Sequence, residues 1–138
     1  MSVVDHERFR YKFTSEDFKN LTYFVADLGR DDSVYNEEKL TQAQRLAHLL
    51  NAKLLALLRE LEELTRGVDA FGGIKLEMAI PHKSFVTEGD TTEFDRLEIY
   101  APIVTLRQFV AADLTARKFL DGSIILINEN RTEVPPEL

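Results

Sequence analysis

Between Asn36 and Arg66 the chain reads NEEKLTQAQRLAHLLNAKLLALLRELEELTR, a helix-forming run that dominates what the rest can fold into. Leu40, Ala43, Ala47, Leu50, Leu54, Leu57, Leu61, Leu64 and Val68 recur at steps of three and four, which keeps them on one face of a helix. At 1.5 Å per residue such a helix would be about 46 Å long. A compact sphere of 138 residues is only roughly 37 Å across. The helix is therefore expected to bend, to protrude, or to pack on something outside its own chain.

In the middle of the run, Leu49, Ala52, Leu55 and Ala56 point away from that seam. A helix that is apolar all round is normally buried, and each buried leucine contributes about 1.5–3 kcal/mol. A second cover is expected over these four residues, either another helix of the chain or a second copy of it. The spacing of Ala52 and Ala56 permits close approach, so these four residues are the expected self-association surface of a homodimer.

Around this helix the remaining segments read as follows. ERFRYKF, residues 7–13, alternates like a strand with one wet face, and Thr14 and Ser15 cap a helix expected over 16–28 that Gly29 stops. The long helix begins between Val34 and Thr41, where Asn36 is a possible cap and Thr41 with Gln44 has the capping-box spacing. IKLEMAI places Ile74, Leu76, Met78 and Ile80 on one face, and FDRLEIYAPI does the same with Leu97, Ile99, Ala101 and Ile103. A turn at Gly89-Asp90 would join them into a long hairpin over 74–104, with Ile80 facing Ile99, Met78 facing Ala101, Leu76 facing Ile103 and Phe85 facing Phe94. A helix over 106–120, capped by Thr105 and stopped near Gly122, precedes the strand SIILIN. The expected fold is α+β: an about four-stranded, mainly antiparallel sheet with a long β-hairpin, packed against one long helix and two shorter helices. A single domain over 1–138 is expected, with a short disordered or extended tail at about 132–138.

Composition restricts the chemistry. No cysteine is present, which removes disulfides, thiolate metal sites and thiol nucleophiles and fits a reducing compartment. No stretch has the roughly 20 apolar residues of a membrane span, so a cytoplasmic setting is expected. With 17 basic and 24 acidic residues, net charge −7 and Lys and Arg thinly spread, a nucleic-acid backbone would be repelled.

His6, His48 and His82 are the only histidines, and none has the spacing of a local metal motif. His48 reads as a core or interface residue, and His82 as packed near Leu97. Asp31-Asp32 and Glu37-Glu38 read as solvated or capping pairs. No catalytic, cofactor or metal residue is assigned. Glu88, Asp90, Glu93 and Asp95 gather at the tip of the expected hairpin, either as a solvated turn or as a docking surface for a basic partner.

Two functional classes follow. The first is a non-enzymatic interaction module, an acidic homodimeric adaptor, chaperone or inhibitor that binds a protein partner. The alternative is a small hydrolase-like enzyme whose carboxylates and histidine converge only in the fold. A pocket holding His48 or His82 with a carboxylate would mark the second, and an apolar patch beside the acidic tip would mark the first.

Overall fold

A computed structural model describes residues 12–68, 70–85, 91–136 and 138. Strand β1 (Lys12–Phe18) turns into β2 (Leu21–Arg30) through Lys19 and Asn20, both with positive φ (47° and 68°). A two-residue loop of this kind matches the twist of an antiparallel hairpin, and Phe18 pairs with Leu21 across it. The helix expected over 16–28 is thus two strands. Thr22, Tyr23, Phe24 and Val25 favour a pleated surface, and residues 23–26 are buried on both faces, as a central strand requires. Gly29 does adopt a left-handed conformation (φ 70°), but at an irregularity in β2 rather than at a helix end.

The short β3 (Tyr35–Asn36) is followed by the long helix, built of α1 (Gln42–Leu49), a π turn (Leu50–Leu54) and α2 (Leu55–Thr65). Thr41 and Gln44 form the capping box read from the sequence: Gln44 N donates to Thr41 Oγ1 at 3.2 Å and Thr41 N to Gln44 Oε1 at 2.9 Å. Asn36 belongs to a strand, so the helix runs only from 42 to 65, about 36 Å. It fits the roughly 37 Å width of a compact chain of this length, and no excess length remains that would need a bend, a protrusion or a second chain. The π turn widens the helical step, so that Leu49, Leu50, Leu54, Leu58 and Leu61 all reach the core. Truncating one of them, such as Leu58, to alanine would cost about 2–5 kcal/mol.

From α2 the chain enters β4 (Gly73–Lys83) and β5 (Glu93–Pro102), then α3 (Ile103–Val110), α4 (Ala116–Asp121), β6 (Ile124–Ile127) and β7 (Asn130–Thr132). The helix expected over 106–120 is interrupted at Ala112 (φ 64°) and restarts at Thr115, whose hydroxyl accepts from Lys118 N. Thr105 caps nothing; its hydroxyl donates to Pro102 O.

Among the described residues the sheet has seven strands in the order β1-β2-β4-β5-β6-β7, with β3 also on β4. Both β2 and β3 run parallel to β4, and the other pairs are antiparallel. The expected four-stranded, mainly antiparallel sheet is therefore wrong. Parallel neighbours need a long crossover, and the long helix supplies it between β2 and β4. This is a non-local pairing that no turn signal announces. β3 occupies the place beside β4 that β2 leaves after Arg30.

The hairpin register also differs from expectation. Leu76 faces Ile99, Met78 faces Leu97, Ile74 faces Ala101, Ile80 faces Asp95 and Pro81 faces Phe94. The shift is by an even number of residues, so each side chain keeps its face, and Ile74, Leu76, Met78 and Ile80 are buried. The expected turn residues Gly89 and Asp90 lie outside the described residues, as do residues 1–11, which hold His6 and most of the first expected strand.

One face of the sheet packs Phe24, Leu76, Ile99 and Ile125 against the long helix, α3 and α4 in a single core cluster. In the segment expected as a tail, Val134 and Leu138 pack on this cluster and Pro135 O accepts from Arg117 at 2.7 Å. On the opposite face Lys75, 1% exposed, lies within 2.6 Å of Glu77 and 3.0 Å of both Glu16 and Glu98. Its ammonium sits over the Tyr100 ring, whose hydroxyl donates to Glu16 at 2.6 Å and on which Phe18 stacks. Burial alone would push the Lys75 ammonium down, but hydrogen bonds with Glu77, Tyr100, Glu16 and Glu98 hold it above the usual lysine range.

Candidate functional site

Where β2 gives way to β3, three segments bring charged groups together at one end of the core face. The β3 pairing sets Tyr35 beside His82, and Glu37 N donates to Lys83 O at 3.0 Å, which fixes the backbone of Glu37 next to β4. The hairpin register places Glu93 directly across from His82. The capped start of α1 brings in Arg45.

His82 is 8% exposed and has a carboxylate on each ring nitrogen. Glu37 Oε2 lies 2.7 Å from Nδ1, and Asp95 Oδ1 lies 3.4 Å from Nε2. Asp95 is itself buried. It accepts from Arg45 Nη2 at 3.0 Å and from Asn128 Nδ2 at 3.0 Å, while Arg45 Nη1 donates to Leu40 O. Burial would raise the Asp95 carboxyl, but the hydrogen bonds from Arg45 and Asn128 and the charges of His82 and Arg45 outweigh it and hold it below the usual carboxylate range. Glu37 and Glu93 are exposed. One ligand atom from each of Glu37, His82 and Glu93 lies within 4.8 Å of the others.

No known family, curated protein or solved structure matches this chain. Its function must be argued from the geometry alone.

The sequence-derived sites fall in different places. Of the acidic tip, Glu88 and Asp90 lie outside the described residues. Glu93 is exposed beside His82, and Asp95 is engaged inside the chain by Arg45, His82 and Asn128. Phe85 and Phe94, at the same end of the hairpin, are 54% and 47% exposed, with Lys83 over one ring and Arg30 over the other. Of the proposed self-association residues, Leu49 is buried in its own core, Leu55 is half-buried, and Ala52 and Ala56 are exposed. Ala56 stands between two open clefts. One of about 400 Å³ holds Ala52, Leu57 and Met78, and one of about 550 Å³ holds Leu55, Phe109 and Leu114. His48 is exposed, its ring edge-on to Tyr35.

Asp31, expected to be solvated, is 2% exposed. Its Oδ1 receives Lys53 from the π turn at 2.5 Å, and its buried Oδ2 has no hydrogen-bond partner among the described residues. Among the described residues no helix is long and apolar enough to cross a membrane.

Sequence reasoning missed the convergence on His82 because its members are 45 and 11 positions apart. The usable signal was the hairpin register. In the expected register His82 faces Leu97, whereas in the observed one it faces Glu93.

Proposed function

We propose that this chain is a non-enzymatic protein-binding module, an acidic homodimeric adaptor, chaperone or inhibitor of the cytoplasm, which takes a partner at the turn end of the β4–β5 hairpin. The observation that carries this reading is the pair of half-exposed phenylalanines, Phe85 and Phe94, on a chain of net charge −7. Exposed aromatic side chains are the usual anchors of protein contacts, and Glu93 beside them favours a partner with basic groups around an apolar patch. The absence of cysteine fits the reducing compartment.

The alternative, a hydrolase-like enzyme, draws on the meeting of His82 with carboxylates. A general base needs a ring nitrogen free to reach the substrate proton. Nδ1 of His82 is engaged by Glu37 and Nε2 faces Asp95, so Glu37 would have to turn aside before the ring could act on a substrate. Phe85 and Phe94 are exposed as they stand, which favours the binding module.

In extracts of the native host, the immobilised wild-type chain should retain a defined protein. A Phe85→Ser, Phe94→Ser double variant, folded by circular dichroism, should hold that protein at least about tenfold more weakly, as expected when interface anchors are lost. Equal retention would remove the hairpin end as the site. Light scattering of the same preparations should give a dimer mass that Ala56→Glu reduces to that of a monomer, through an unpaired charge in the contact. A wild-type monomer at every concentration would end the homodimer reading.

A further inference from the structure

The His82 cluster contains more negative charge than the described residues neutralise. Glu37, Glu93 and Asp95 supply three carboxylates, whereas among the described residues Arg45 is the one permanent cation bonded into the group and is committed to Asp95. His82 adds a charge only when protonated.

We propose that Glu37, His82 and Glu93 form a divalent-cation site of the zinc, manganese or ferrous class, with the metal on Nδ1 of His82. This goes beyond the protein-binding reading and does not depend on it.

Four features support the assignment. The donor set, one imidazole and two carboxylates, is borderline in softness and suits these ions better than an all-oxygen cage for calcium or magnesium would. Nitrogen and oxygen ligands sit about 2.0–2.2 Å from such a metal, so ligands across one ion lie within about 4.4 Å of each other. The observed spread of 4.8 Å closes by small rotations of the exposed Glu37 and Glu93 side chains.

The third feature is the support behind the histidine. Metal-binding imidazoles usually give their other ring N–H to a carboxylate, which fixes the tautomer. Asp95, anchored by Arg45 and Asn128, stands 3.4 Å from Nε2 in that role, leaving Nδ1 toward the exposed Glu37. The fourth is connectivity. Glu37 follows β3, His82 is on β4 and Glu93 begins β5, so one ion would join three segments distant in sequence, and its binding energy would add to folding.

The test uses the full chain, stripped of metal with a chelator, at neutral pH. Cobalt(II) as a spectroscopic probe, followed by zinc in competition, should bind one ion per chain, produce visible d–d absorption and raise the melting temperature with concentration. Glu37→Gln with Glu93→Gln changes only exposed carboxylates and should stay folded while weakening binding at least about tenfold. Asp95→Asn should weaken it by a similar factor, the range typical of groups that support a metal ligand.

In imidazole nitrogen NMR, zinc should shift Nδ1 of His82 and leave Nε2 protonated. Absent binding at millimolar cobalt, unchanged affinity in the double glutamine variant, equal competition by magnesium, or a shift at His6 or His48 instead would each overturn the proposal. His82 would then be an imidazole held between Glu37 and Asp95 and nothing more.

Discussion

The two faces of the sheet each gather three carboxylates, and they resolve them in opposite ways. On the outer face Glu16, Glu77 and Glu98 converge on Lys75, an ammonium that cannot leave, and Phe18 and Tyr100 close over it. At the end of the core face Asp95 is closed in the same manner by Arg45 and Asn128, but Glu37 and Glu93 stay exposed around a histidine. A closed cluster specifies structure, because its desolvated charges are tolerable only in one arrangement. An open one retains free donor atoms, and these can be used by something outside the chain.

The largest effect that tests this contrast comes from Lys75→Met. Removing the buried ammonium leaves the buried Glu98 and the half-buried Glu16 and Glu77 with only Arg96 near Glu77 and Glu98, at 3.8 and 3.7 Å. Breaking a buried pair by deleting one partner costs about 3–5 kcal/mol. Urea unfolding should show a loss of that size. A loss under about 1 kcal/mol would mean that the outer cluster is effectively solvated and that the two faces differ little.

Acid should act next, through Asp95. Its carboxyl is held below the usual range in the folded state, so its contribution to stability is fully present above the unfolded value of roughly 3.9. It is lost as pH falls from there through the lower folded value. Asp95→Asn should lower stability at neutral pH and flatten the acid limb below about pH 4. An acid limb that keeps its full slope in the variant would show that Arg45 and Asn128 do not hold that carboxylate as argued.

How much of this was legible depended on how local each signal is. The capping box of Thr41 and Gln44 spans four residues and was one of two starts the sequence offered for the helix, the other being Asn36; the structure uses Thr41. The alternation in β4 and β5 named the right core residues except Ile103, which opens α3 and is half-buried, even with the wrong register, because an even shift preserves faces. Apolar pairing alone cannot choose between Leu76 facing Ile99 and Leu76 facing Ile103. What distinguishes them is polar and distant: Asp95 against Arg45, and Lys75 among Glu16, Glu77 and Glu98. Lys19-Asn20 was a turn signal that went unread beside the apparent helix caps at Thr14 and Ser15, and with it went β1, β2 and the parallel crossover. The π turn has no composition of its own, so the drift of the buried face from Leu57 toward Leu58 had no sequence signature.

The smallest expected effect distinguishes the two clusters most sharply. Glu37→Gln and Glu93→Gln remove charge from exposed positions where like charges repel, and surface changes of this kind usually stay within about 0.5 kcal/mol. Each variant should therefore melt close to wild type in the absence of metal, with any change toward greater stability, since a carboxylate leaves a patch that already holds two others. Glu37 carries the greater risk of loss, because its Oε2 lies 2.7 Å from His82. Differential scanning calorimetry of the metal-free proteins resolves this. If Glu93→Gln destabilises the fold as strongly as Lys75→Met, its carboxylate belongs to the architecture, and the open cluster is as closed as the other. If it melts with wild type, the carboxylates at this end are held in place by the fold without being needed for it, which is the condition under which they can serve a ligand.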